Sequence, residues 1–171
     1  MKIYTRTGDR GVTSTLSGQR IPKDDCLIKV NGELDELQTQ IDKVISYMKR
    51  SVSFAETLVQ LERIRTLLWQ LGGEISFGER NNLVKQPIMK YDVKDLENWI
   101  DNFNLEIKGF QRFYNPIAIE INEARVRTRR LERTLTKYLR KRILRIEVYM
   151  YLNRLSDYFF TLAVAIENIT K

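Results

Sequence analysis

From Ile117 to Tyr138 the positions Ile117, Ile121, Ala124, Thr128, Leu131, Leu135 and Tyr138 recur at alternating spacings of four and three. A stripe of that period is one face of an α-helix, and it must be covered by other helices. It excludes a strand, whose faces alternate every second residue. Pro116 stands directly before the stripe, where its fixed φ suits a first helical turn.

The same reading predicts four more helices. The first spans about Asp25 to Arg50 through Ile28, Leu34, Leu37, Ile41, Val44, Ile45 and Met48, with Asp24 or Asp25 as its N-cap. Gly32 inside it costs ~1 kcal/mol against Ala and suggests a close backbone approach. The second spans Ser53 to Ser76, with Gly72-Gly73 weakening its last turns, and a loop covers 77–90. A third runs from Val93 to Ile107 through Leu96, Ile100 and Phe103; the last, Arg145 to Ile169, carries Leu152, Leu155, Phe159, Leu162 and Ile166. Only three prolines and eight glycines interrupt 171 residues. The expectation is an all-α, five-helix bundle over 25–171, in a single domain of 1–171. Residues 1–24, rich in Gly, Thr, Ser and Arg, show no helical period and read as an extended arm or loop.

Composition removes whole classes of chemistry. The chain has no histidine and one cysteine, Cys26. That excludes a histidine triad, a zincin site, a cysteine-rich zinc site and an internal disulfide framework. No apolar run approaches the ~18 residues of a membrane span, and no signal-peptide core stands at the start, so a cytoplasmic protein is expected.

Net charge is +7, but it is not spread evenly. Arg125–Arg145 holds ten Lys/Arg and one acid, Glu132, a charge of +9; the other 150 residues carry −2. A concentrated positive field suits a polyanion: nucleic acid, anionic lipid or nucleotide phosphates. Arg125, Arg129, Glu132 and Arg133 share one helical face. A solvated face of ion pairs is the bland reading, yet three arginines and one acid do not neutralise, and guanidinium groups match phosphate oxygens. Glu132 is placed to orient one arginine. Arg127, Arg130, Lys137, Arg140, Lys141 and Arg142 fall on other faces or in the following turn and read mainly as solvated surface.

Three further groups bear on function. Asn153 and Asp157 lie one turn apart, with Arg154 and Ser156 beside them, in the apolar run YLNRLSDYFF. Buried there, they need partners: another helix, the arginine face or a ligand. The arm's Thr5-Arg6-Thr7-Gly8-Asp9-Arg10-Gly11-Val12-Thr13-Ser14 has hydroxyls and glycines able to wrap phosphates with backbone N–H groups, although it lacks the P-loop pattern. Lys23 adds a point charge, and Asp35-Glu36 offer acids to arginines of another helix or subunit.

Together these pieces resemble the ATP:cob(I)alamin adenosyltransferases of the propanediol-utilisation type. The resemblance rests on YTRTGDRGVTSTLSGQRIPKDD at 4–25, GELDEL at 32–37, RVRTRRLER at 125–133 and YLNRLSDYFFTLA at 151–163, in the family's order across nearly the whole chain. It implies a five-helix bundle with a nucleotide-binding arm, a homotrimer with sites between subunits, and an arm that folds over ATP. By motif, Thr5, Arg6, Thr7, Gly8, Thr13, Ser14 and Lys23 bind the phosphates. The run Arg129, Arg130, Leu131, Glu132 and Arg133 and the side chain of Asn153 bind ATP. Arg129, Arg133 and Asp157 carry the catalytic role, and Asp35 and Arg125 bridge subunits. ATP, Mg²⁺ on its phosphates and cobalamin are the implied ligands, with no metal site of the protein's own. A cobalamin reductase and an adenosylcobalamin-dependent enzyme are the implied partners, not nucleic acid or a membrane.

The family's Phe-x-Leu-Pro-Gly-Gly stretch reads Phe113-Tyr114-Asn115-Pro116-Ile117-Ala118 here. Phe113 is the candidate wall of the corrinoid pocket, and Ile117 and Ala118 bring side chains where the family has bare backbone. An ATP-binding regulatory trimer without corrinoid chemistry, and a nucleic-acid-binding helical bundle, are the alternative readings.

Overall fold

The computed structural model describes residues 3, 4, 6–50, 54–77, 88–107, 109–139 and 145–169, with the side chains of 138 and 139 outside the description. Five helices follow a short hairpin: β1 (Val12–Ser14), β2 (Arg20–Pro22), α1 (Cys26–Met48), α2 (Ala55–Phe77), α3 (Lys90–Asn102), α4 (Pro116–Leu139) and α5 (Ile146–Ile169). The all-α bundle matches expectation.

The arm is more ordered than its composition suggests. β1 and β2 pair antiparallel, with Thr13 opposite Ile21 and Ser14 opposite Arg20. Thr15 N–H donates to Gln19 O at 2.9 Å, Thr15 Oγ1 receives Gln19 N–H at 3.1 Å, and Gly18 takes the left-handed φ of 82° that closes the turn. Ile21 is the buried residue that anchors the hairpin to the core.

α1 begins as read, with Asp25 Oδ1 accepting Leu27 N–H at 2.8 Å. Two glycine readings change. A Cβ at Gly32 would meet nothing within 4 Å inside the chain, so the chain itself makes no close approach there. α2 runs through Gly72-Gly73 to Phe77, because Leu68, Leu71 and Ile75 bury on either side. α3 starts and ends earlier than its apolar spacing suggests. Asp92 reaches back to accept Met89 N–H at 2.9 Å and receives Arg63, which fixes the first turn. Asn104, at φ 46°, turns the chain away after the last one.

The stripe on α4 enters the core as predicted: Ile121, Ala124, Thr128 and Leu131 are fully buried, Leu135 nearly so, and Ile117 packs against them. The side chain of Tyr138 lies outside the described residues. Burying about 2 kcal/mol of transfer free energy per large aliphatic side chain makes this stripe the main tether of α4. α4 packs on α1 and α5. Gln40–Glu120, Glu36–Arg127 and Glu33–Thr134 contacts show that α1 and α4 run antiparallel. α5 is central: Tyr151, Leu155, Tyr158, Phe159 and Leu162 are buried, and α3 covers it through Trp99 and Phe103.

Candidate functional site

The +9 segment is divided by the fold. Arg127 pairs with Glu36 and with Glu123, both at 3.0 Å, and Arg130 also pairs with Glu36. Arg130 is therefore turned to α1, away from the face shared by Arg129 and Arg133. Arg145 is drawn inward. Its Nε and NH2 donate to the two oxygens of buried Glu74 at 3.1 and 3.0 Å, and NH1 donates to Ile88 O at 2.6 Å. Leu131 is fully buried; it sets the register of its neighbours and offers no side-chain contact to a ligand. Arg140, Lys141 and Arg142 lie outside the described residues. Arg129 and Arg133 stay exposed, and among the described residues neither has an ion pair.

These two arginines border a ladder between α4 and antiparallel α5. At one end Glu132 Oε1 accepts the Asn153 side-chain amide at 3.3 Å. In the middle Asp157 feels the charge of Arg129. At the other end the Arg125 guanidinium lies over the Phe160 ring, 5.8 Å from its centroid, with Nε donating to Asn122 Oδ1 at 2.8 Å. Phe113 meets Phe160 edge-on, centroids 6.4 Å apart. The row passes from aromatic at Phe113 to charged at Glu132.

Two expectations about α5 need correction. Asn153 and Asp157 are exposed, not buried in the apolar run. The helical turn sends Tyr151, Leu152, Leu155, Tyr158 and Phe159 inward and leaves 153 and 157 on the open side. Nor does Glu132 orient an arginine among the described residues: its carboxylate holds Asn153. The arginine that does organise this face is Arg154. It donates through NH1 to Asn153 Oδ1 at 2.8 Å and through Nε to Glu97 Oε1 at 3.2 Å. The α3 carboxylate Glu97 was not legible as a site residue, since it lies 57 positions from Arg154. Although exposed, the Asp157 carboxyl is partly desolvated by its neighbours, which raises it above its ordinary range, and Arg154 and Arg129 pull it back. Burial, then the Arg129 charge, lowers the Arg125 guanidinium.

The arm carries a second constellation. A Cβ on Gly8 would sit 3.2 Å from Lys23 Nζ, so the lysine head lies directly against that backbone. Lys23 N–H holds Gly11 O at 2.9 Å. Arg6 takes φ 59°, a left-handed turn, with its guanidinium over the Tyr4 ring. Thr7 is exposed, and Thr13 and Ser14 lie on β1. Thr5 lies outside the described residues. Among the described residues no hydrogen bond or ion pair joins the arm to α4 or α5.

Asp35 is exposed beside a cleft of about 640 Å³ between α1 and α2, bordered by Leu16, Trp69, Gly72 and Gly73. Within one chain it does not meet Arg125, which is turned to Asn122 and Phe160. The substituted glycines also read differently in three dimensions. Ala118 is fully buried, Ile117 packs on the core, and Asn115 Oδ1 caps α4 by accepting their N–H groups at 3.3 and 2.8 Å. Glu167 Oε2 accepts Tyr114 and Asn115 N–H, both at 2.9 Å. Ala118 thus faces the bundle, and Ile117 is partly buried against it.

Residues 3–166 match the family model for cobalamin adenosyltransferase. A corrinoid adenosyltransferase of Citrobacter freundii is 35% identical over 167 residues, covering 95% of this chain and 93% of its own. The corrinoid adenosyltransferase MMAB of Homo sapiens is 33% identical over 171 residues, 95% of this chain and 67% of that protein. Among solved structures, a variant PduO-type ATP:corrinoid adenosyltransferase from Lactobacillus reuteri, complexed with cobalamin and ATP, superposes with a TM-score of 0.86 at 27% identity, covering 99% of this chain and 95% of that one. A second variant from the same source, complexed with ATP, gives 0.88 at 28% identity, covering 99% and 96%.

Proposed function

Since the chain belongs to the cobalamin adenosyltransferase family, we propose that it transfers the 5′-deoxyadenosyl group of ATP to cob(I)alamin and releases triphosphate. The cobalt–carbon bond forms as the C5′–oxygen bond breaks, and the electron pair leaves with triphosphate. The nucleophile belongs to the corrinoid substrate, so a chain without histidine lacks nothing it needs. The protein's task is to orient two reactants and stabilise a leaving group that gains charge.

The observation that carries this reading is the polarity of the α4–α5 row. Arg129 and Arg133, without carboxylate partners among the described residues, stand at the charged end with Glu132 and Asn153. Phe113 and Phe160 stand at the other. We assign ATP phosphates and ribose to the first, and the corrinoid face to the second, where an aromatic wall favours a dry approach to cobalt. Thr5, Arg6, Thr7, Gly8, Thr13, Ser14 and Lys23 would close over the phosphates. Mg²⁺ would ride on phosphate oxygens; among the described residues no three ligating side chains converge to hold it independently.

The separation of arm and arginine row supports a site shared between subunits, with 1–171 acting as one domain. In a homotrimer, the arm or the Asp35 edge of one subunit would meet the row of its neighbour, and Asp35 would pair with Arg125. Among the described residues no helix is long and apolar enough to cross a membrane. A cytoplasmic enzyme supplied by a cobalamin reductase and delivering to an adenosylcobalamin-dependent enzyme fits this chemistry.

The test is an anaerobic assay with ATP, Mg²⁺ and chemically reduced cobalamin, followed by the light-sensitive absorbance of the product. Product formation is expected. Tight ATP binding with no product would favour the regulatory reading instead.

A further inference from the structure

Arg20 has no part in the site described above, yet its guanidinium links two other parts of the arm. It stands on β2, exposed, opposite Ser14. NH2 donates to Thr7 O at 2.7 Å, thirteen residues back along the chain, and NH1 donates to Ser14 Oγ at 3.3 Å. An exposed arginine normally keeps its head in water; here NH2 ties the Thr7 carbonyl, just before Gly8, to β2, and NH1 braces the same guanidinium on β1.

A peptide group is planar and trans, so its carbonyl and the next N–H point in opposite directions. With Thr7 O directed at Arg20, Gly8 N–H faces away from Arg20. Among the described residues it donates to no backbone acceptor. Arg6, at φ 59°, puts a left-handed residue just before this peptide, the kind of geometry in which successive N–H groups converge on an anion. Lys23 Nζ stands against the same glycine.

We infer that Arg20 is a positioning residue of the phosphate arm: by holding the Thr7 carbonyl and Ser14 hydroxyl it presents Gly8 N–H to the triphosphate. The inference rests on the reading of the arm as the phosphate binder. Arg20 does not touch the reactants; it removes the rotational freedom of a peptide that must point one way before ATP arrives. Lysine, with a compact ammonium in place of a planar fork, does not reproduce two divergent contacts.

The experiment compares Arg20→Ala, Arg20→Lys and Lys23→Ala with wild type in the full chain. Calorimetry with inorganic triphosphate and with adenosine is paired with KM for ATP, KM for cob(I)alamin, and kcat. Arg20→Ala is expected to weaken triphosphate binding and raise KM for ATP about tenfold, the scale of one charge-assisted hydrogen bond. Adenosine binding, KM for cob(I)alamin and the melting temperature should hold, and Arg20→Lys should recover only part of the loss. Unchanged triphosphate binding in Arg20→Ala, beside a loss in Lys23→Ala, overturns the role of Arg20 and leaves the arm assignment standing. Unchanged binding in both overturns the arm assignment and this inference with it. Equal losses for triphosphate and adenosine would show a general structural role and overturn the inference.

Discussion

Asn153 on α5 donates its side-chain amide to Glu132 on α4 across 3.3 Å, and this contact fixes which way the amide faces. Glu132, as a carboxylate, only accepts, and the Arg154 guanidinium on the other side of Asn153 only donates. The nitrogen must therefore face Glu132 and the oxygen Arg154. Two motifs separated by some twenty residues of sequence meet as one surface with a defined donor and acceptor.

That surface should fail when Arg154 is removed. Among the described residues, Arg154→Ala leaves the Asn153 amide held by Glu132 alone and Glu97 paired with Lys94 alone. ATP affinity is expected to fall several-fold, with KM for cob(I)alamin nearly unchanged. An equal rise in both KM values would place the effect in the fold, not in Asn153.

Arg129→Ala or Arg133→Ala should weaken ATP use strongly without lowering the melting temperature, because both are exposed and neither has an ion pair among the described residues. One charged hydrogen bond to phosphate is worth about 1.5–3 kcal/mol. Arg130→Ala, which breaks the surface pair with Glu36, should cost at most about 1 kcal/mol of stability and less ATP affinity. Wild-type ATP affinity in Arg129→Ala, by calorimetry, sinks the assignment.

The Asp157 side chain is 58% exposed, yet partial desolvation by its neighbours is the main cause that raises its pKa, against the pull of Arg154 and Arg129. Its neutral form is favoured by folding, so its contribution to stability is full below the ordinary aspartate range and is lost as pH rises through the raised value. At neutral pH the charged group is a cost. Asp157→Asn is expected to match or exceed the wild-type melting temperature at neutral pH while turnover falls. A clear drop in melting temperature at neutral pH would contradict this.

Glu74, almost fully buried, depends on Arg145. Arg145→Ala strands a carboxylate and should cost about 3–5 kcal/mol. The double change Glu74→Leu with Arg145→Met should recover much of that loss. Chemical denaturation of wild type, Arg145→Ala and the double variant decides it; a double variant no more stable than Arg145→Ala would refute the pairing argument.

Ile117→Gly with Ala118→Gly should destabilise the chain and leave cobalamin affinity unimproved, because both side chains pack inward. Glycine costs about 1 kcal/mol per helical position, before lost packing. A tighter cob(I)alamin titration in the double variant would show that these residues obstruct the corrinoid after all. The subunit reading has its own check: charge reversal at both Asp35 and Arg125 should partly restore what either single reversal loses, and light scattering should find a trimer.

The sequence by itself determined that five helices form and which stripe of α4 is buried, although not the bounds of α3 or the exposure of Asn153 and Asp157 on α5. Ile121, Ala124, Leu131 and Leu135 announce their burial through spacing alone, because a helix repeats every 3.6 residues whatever it packs against. It also carried the arginine row and the arm, since both are local patterns. Only the tertiary structure decided how the charges are used. Helical spacing puts Arg127 and Arg130 on other faces than Arg129 and Arg133, but it does not show that Glu36, over ninety residues away, pairs with the first two, while among the described residues the others have no ion pair. Glu74 withdraws Arg145 across 71 positions in the same way, and Glu97 recruits Arg154 across 57. Coulomb pairing depends on distance in space, and no helical period encodes which face of α1, α2 or α3 will lie beside a given arginine.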